Sequence, residues 1–109
     1  MIKVIVSRTR NEITAFELSG HAESGPYGYD LVCAAVSAVS IGTLNAASEL
    51  GETDLEIKQG DEGGYLHVQI PNALPEEKME KIQLLFEGMI IALKSIEAEY
   101  NKFIKVYSE

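Results

Sequence analysis

Eighteen consecutive residues, Leu31 to Ser48, carry no charge in a chain of 109 residues. No other stretch restricts the fold so strongly. A run of this length is about enough to cross a bilayer as a helix. It also holds Ser37, Ser40, Thr43, Asn45 and Ser48 among many alanines, and that dilution suits the central helix of a soluble domain better. The spacing predicts a helix from Leu31 to about Leu50, ended by Gly51. Ala34, Ala35, Ala38, Gly42, Ala46 and Ala47 let a sheet or second helix approach closely. A helix apolar on nearly all sides has to be covered on more than one of them. In so small a domain, a second copy of the chain is one source of cover.

Strand patterns surround this helix. Ile2, Val4 and Val6 alternate with Lys3, Ile5 and Ser7, the period of a half-buried strand. The polar turn Thr9 to Glu12 leads into a second strand, Ile13 to Leu18, with Phe16 and Leu18 on one face. Leu55 and Ile57 mark a third strand, and Leu66, Val68 and Ile70 a fourth, joined through Gln59 to Gly64. Pro71 to Pro75 breaks the chain before a second helix. Glu76, Glu77 and Glu80 favour the positive end of its dipole. Met79, Ile82, Phe86, Met89, Leu93 and Ile96 form its core stripe, and Leu84 and Ile91 lie off that stripe as a candidate partner-facing surface. Phe103, Ile104, Val106 and Tyr107 read as a short last strand. The expected fold is α+β, in the order β-β-α-β-β-α-β over one domain spanning residues 1–109. Its sheet is mostly antiparallel, with strand order left open. Hydrophobic residues at 46% and charged residues at 24% suit such a domain.

Chemistry concentrates just before the uncharged run. Gly20-His21 ends the second strand, and Glu23 to Tyr29 is a loop with Gly25, Pro26 and Gly28. Asp30 stands where a helix N-cap is expected, and Cys33 is the only cysteine. With Asp30 as cap, Cys33 is the third helical residue, beside unpaired backbone N–H groups that favour a reactive sulfur. Ser37 falls one turn further along the same face. A thiol and an imidazole are the minimum for nucleophilic acyl transfer, one attacking while the other handles the proton. Each residue also has a plainer use. A lone cysteine packs as a small hydrophobe, a strand-end histidine bonds to backbone, and Ser37 is a small residue at a helix contact. Tyr27 and Tyr29 suit either substrate contact or packing over the helix start. His67 falls on the polar face of its strand, where it reads as solvent-exposed and as a weak rival base.

Gly20-His21-Ala22, a short loop, and then Gly28-Tyr29-Asp30-Leu31-Val32-Cys33-Ala34-Ala35-Val36-Ser37-Ala38-Val39 closely resemble the signature of the ribosomal-processing cysteine protease Prp family. The resemblance extends over nearly the whole chain, including Gly63-Gly64 and the ending Glu97-Ala98-Glu99-Tyr100. It implies an endopeptidase that removes the N-terminal extension of a large-subunit ribosomal protein precursor. It implies Cys33 as nucleophile, His21 as base, and Gly20, Asp30 and Ser37 as supporting residues. It further implies a homodimer and a His-to-Cys loop that substrate orders.

Charge and cysteine count set the remaining bounds. A net charge of −8 argues against nonspecific nucleic-acid binding, which rests on basic patches. One cysteine excludes an internal disulfide and suits a reducing cytoplasm. The start of the chain reads as a strand rather than a signal peptide, and no membrane association is expected. No cofactor or metal is expected either, since His21 and Cys33 are too few for a closed zinc site without Asp30 or Glu23. The rival to a peptidase is a noncatalytic ribosome-associated binding module with Cys33 buried.

Overall fold

The computed structural model describes residues 1–20, 26–60 and 64–108, and for 26–30 the backbone alone. The elements run β1 (Ile2–Thr9), β2 (Glu12–Ser19), α1 (Pro26–Leu50), β3 (Glu56–Gln59), β4 (Tyr65–Gln69), α2 (Glu76–Glu99) and β5 (Ile104–Ser108). The element order matches the sequence reading. The sheet order is β3-β4-β2-β1-β5. Every pairing is antiparallel except β1 with β5, which is parallel.

One face of the sheet makes the core with both helices. Ile2, Val4 and Val6 of β1 join Phe16 and Leu18 of β2, Leu66 and Val68 of β4, and Ile104 of β5. Val32, Val36, Leu44 and Ala47 come from α1, and Ile82, Phe86, Met89 and Leu93 from α2. Phe16 and Phe86 meet edge to face, with ring centroids 5.2 Å apart at 69°, the arrangement that ring quadrupoles prefer. The edge strand β3 is different: Ile57 pairs with Val68 yet is 45% exposed, so the helices leave that edge largely open.

The β1–β2 hairpin turns on Arg10 (φ 53°) and Asn11 (φ 69°). Two central residues with positive φ match the right-handed twist of paired strands. The register slips between Ser7 and Arg8, where Ala15 and then Ile13 are the partners. This bulge changes the phase of β2, so Ile13 enters the core together with Phe16 and Leu18. The Gln83 amide of α2 completes the strand there. Its Oε1 accepts from the Ile13 N–H at 2.8 Å, and its Nε2 donates to the Ile13 carbonyl at 2.7 Å. Arg8 also ties β1 to α2 through paired 2.7 Å bonds to both Glu87 carboxylate oxygens.

Helix α1 departs from expectation at both ends. It starts at Pro26, not after Asp30, so Asp30 is its fifth residue and Cys33 its eighth. Proline has no N–H to leave unpaired and a φ already suited to a first helical turn. Residues 26–29, expected as loop, are thereby helical. At the other end the Thr53 N–H bonds the Ser48 carbonyl (3.1 Å) and the Glu52 N–H bonds the Glu49 carbonyl (3.3 Å). This Schellman pattern puts Glu52, at φ 47°, in the left-handed position expected of Gly51. Gly51 serves packing instead, since a Cβ there would meet the Ala47 carbonyl and the Ile82 side chain. Cover is also one-sided, with Leu31 55% and Ile41 42% exposed.

Candidate active site

The end of β2, one face of α1 and the β3–β4 hairpin enclose a cavity of about 520 Å³. Helical spacing explains the α1 wall. Cys33, Val36, Ser37, Ser40 and Ile41 recur at three and four residues, so one stripe of the helix faces the space. Leu18, Ser19 and Gly20 supply the β2 wall, Ile2 part of the floor, and Gln59, Gly60, Gly64, Tyr65 and Leu66 the hairpin wall. Cys33 is half-buried and Ser37 exposed. The cysteine packs against the core but is not the sealed hydrophobe of the plainer reading, since it also lines the cavity.

Gly20 is held by its backbone. Its φ is +92°, and a Cβ at that position would collide with the Met1 carbonyl oxygen. Its N–H donates to the Gly64 carbonyl at 2.9 Å, which joins the exit of β2 to the entrance of β4. Only glycine fits both the conformation and the close approach. His21 follows directly in sequence.

Among the five sequence candidates, Gly20, Cys33 and Ser37 share this cavity. His21 and the rest of the loop at 22–25 lie outside the described residues, as do the side chains of Tyr27, Tyr29 and Asp30. The helix start at Pro26 overturns Asp30 as the N-cap. Cys33 consequently stands in the third turn, where backbone N–H groups belong to the helix's own ladder. Unpaired amides at the helix end are not its neighbours. His67 stands apart from the cavity, in register with Glu17 and Lys58, and is half-buried rather than solvent-exposed.

Sequence reasoning passed over Ser40 and Tyr65. Ser40 stands seven residues after Cys33 and so falls on the same helical face, but sequence alone gives it no role beyond its place in the uncharged run. The Tyr65 hydroxyl donates to Glu17 Oε2 at 3.0 Å. That bond, to a group carrying negative charge, raises the phenol pKa above its ordinary value. Tyr65 belongs to the hairpin wall of the cavity. Among the described residues, no group of three or more His, Cys, Asp or Glu side chains is placed to hold a metal.

The family model described as cysteine protease Prp matches residues 1–105. The ribosomal processing cysteine protease Prp of Bacillus subtilis is 39% identical over 107 residues, covering 97% of this chain and 96% of its own. The Staphylococcus aureus protein of the same name is 34% identical over 102 residues, covering 94% of this chain and 92% of its own. Two S. aureus crystal structures of an essential ribosomal processing protease Prp superimpose over the full length of both chains. One, with a covalently linked product peptide, gives a TM-score of 0.88 at 33% identity. The other, with a substrate peptide, gives 0.85 at 32% identity.

Proposed function

This chain belongs to the Prp family of cysteine proteases, and we propose that it removes the N-terminal extension of a large-subunit ribosomal protein precursor, with Cys33 as nucleophile and His21 as base. The observation that carries this reading is one cavity lined by both Cys33 and Gly20, the residue that hands the chain to His21. The walls come from a strand end, a helix face and a hairpin, and elements of that kind hold a site more firmly than loops do.

In this mechanism His21 takes the thiol proton of Cys33. The thiolate attacks the carbonyl carbon of the scissile peptide, a C–S bond forms, and the carbonyl electron pair moves onto oxygen. Collapse of this intermediate breaks the C–N bond, and the leaving amine takes the proton back from His21. Water, deprotonated by His21, then hydrolyses the thioester and frees the thiol. Backbone amides at the helix start are too far along α1 to hold the oxyanion. The Ser37 hydroxyl, one turn from Cys33 at the cavity surface, is the donor this reading assigns. Gly20 positions His21, and Asp30 supports the loop that carries it.

The enzyme works in this reading as a cytoplasmic homodimer without nucleic acid or membrane. A lone free thiol supports a reducing compartment, and the acidic net charge supports a cationic ribosomal protein as substrate. Leu84 (75%) and Ile91 (67%), exposed on α2, support a second copy as partner. The test incubates the protein with full-length precursor and reads the products by mass spectrometry, beside Cys33→Ala and His21→Ala. One defined cut that both variants lose is the expected result. A cut that persists in Cys33→Ala overturns the mechanism.

A further inference from the structure

The sheet has two outer strands, β3 and β5, and their edges differ. Backbone groups of an antiparallel pair point alternately toward the partner and away from it. The Gly60 N–H donates to the Tyr65 carbonyl at 3.2 Å, and the register sets Lys58 against His67 and Glu56 against Gln69. Glu56 and Lys58 therefore face β4, and the N–H and C=O groups of Ile57 and Gln59 point out from the edge. Among the described residues these outward groups have no hydrogen-bond partner. On β5 the outward Val106 N–H is taken, by a 2.8 Å bond to Glu97 Oε2 of α2. An unpaired edge row is a template for a further strand. All of β3 is exposed. Ile57 stands opposite Val68 and Gln59 opposite Leu66, so both side chains lie on the face that carries the core. Gln59 and Gly60 line the cavity that holds Cys33, and the open row thus runs into the lip of the site.

We propose that β3 is a substrate-docking edge: an extended segment of the substrate polypeptide, away from the scissile bond, adds to the sheet beyond β3 and bonds to the backbone of Ile57 and Gln59. The occupant follows from continuity. An endopeptidase has to seat polypeptide on both sides of its nucleophile, and Gln59 belongs to the edge and to the cavity alike. In this mode main-chain bonds supply affinity and alternate side chains supply selectivity. Segment residues opposite Ile57 and Gln59 share the face of those two side chains. Because Ile57 is 45% exposed there, the residue set against it is apolar. The residues between them fall on the other face, beside Glu56 and Lys58, and are polar. Spacing fixes the distance from the cut. β3 lies two strands from β2, whose end at Gly20 lines the cavity, and an added strand lies three away. At about 4.8 Å per strand and 3.3 Å per residue, at least about four residues separate the docked segment from the cut.

This inference rests on the peptidase reading above, and its test separates the two. Amide hydrogen exchange is followed by NMR on Cys33→Ala, alone and saturated with full-length precursor. The Ile57 and Gln59 amides, open in the free protein, should slow by about tenfold or more. Glu56 and Lys58 already bond to β4 and should change less. Ile57→Pro removes the outward N–H without touching a bond to β4. Its KM for the precursor should rise about fivefold to tenfold with kcat unchanged. The His67 amide, which bonds Lys58, reports whether β3 stays in place in that variant. Two results would each overturn the inference while the precursor is still cut by wild type. One is Ile57 and Gln59 exchanging as fast in the complex as outside it. The other is a wild-type KM in Ile57→Pro with β3 still in place. A precursor that wild type leaves uncut would instead bring down the peptidase reading and this inference with it.

Discussion

Replacing Gly20 by alanine should cost this fold about 3–7 kcal/mol, from three separable sources. The backbone at φ +92° is a region L-residues rarely adopt, and holding one there costs about 1–3 kcal/mol. The new methyl collides with the Met1 carbonyl oxygen, a backbone atom that cannot swing aside, so β1 or β2 has to move at a typical cost of about 1–3 kcal/mol. Such a shift also lengthens the 2.9 Å bond from the Gly20 N–H to Gly64, worth about 1 kcal/mol. Against a total stability of about 5–15 kcal/mol, the melting point should fall by about 13–30 °C. Gly42→Ala is the internal control. A Cβ at Gly42 meets nothing within 4 Å, the site is an exposed helix interior, and alanine there should gain up to about 1 kcal/mol. Urea unfolding of both variants, at a temperature where each is folded, reads the difference directly. Peptidase activity per folded molecule should fall in Gly20→Ala, because the proposed base, His21, follows it directly in sequence, and hold in Gly42→Ala. A Gly20→Ala protein within about 1 kcal/mol of wild type would refute the reasoning, because neither the strain nor the collision would then be real.

Gln83→Ala strips both backbone partners from Ile13; it should cost about 2 kcal/mol and speed amide hydrogen exchange at Ile13 far more than at Phe16. Glu52→Gly relieves the left-handed conformation at φ 47° and should stabilise by about 0.5–1 kcal/mol, read as a higher melting point with peptidase activity unchanged. The Arg8–Glu87 pair has side chains 25% and 41% exposed, so a double-mutant cycle should give less than about 1 kcal/mol at neutral pH after screening. Its hydrogen bond with Arg8 holds the Glu87 pKa below the ordinary carboxylate value. The contribution is therefore complete above the unfolded pKa of about 4.3 and is lost as pH falls through the lower folded value. A coupling that grows on acidification would contradict this.

Alternation and periodicity carried most of the fold because they report directly which side of each element is buried. β1, the α2 stripe and the element order were all legible in this way. Other features depend on contacts between segments distant in sequence. The strand order needs the parallel pairing of Ile2 with Ile104, which no local pattern encodes. The bulge at Ser7 and Arg8 was hidden because a phase change in β2 looks like imperfect alternation. Both ends of α1 were misplaced for local reasons. Asp30 is a good cap by residue type, but Pro26 is a better first residue. Gly51 is the usual left-handed residue, but close packing on Ile82 needs its missing side chain more. At the site, Cys33, Ser37 and Gly20 were legible from spacing and motif. Ser40 went unnoticed because a serine on an apolar helix gains a place in the site only once the cavity beside it is in view.

The pairing of β1 with β5 also governs when this enzyme exists. Arg8 and Ser108 touch although 100 residues apart, and the Ile2 N–H bonds the Phe103 carbonyl at 2.8 Å. Met1, whose carbonyl sets the shape of the chain at Gly20, leads into a strand held between β2 and β5. Contacts between such distant segments form late, because closing the long intervening loop comes before any reward. The cavity around Cys33, to whose lining Ile2 belongs, is thus completed only once β5 has docked beside β1, and a chain without β5 carries the thiol in an unfinished site.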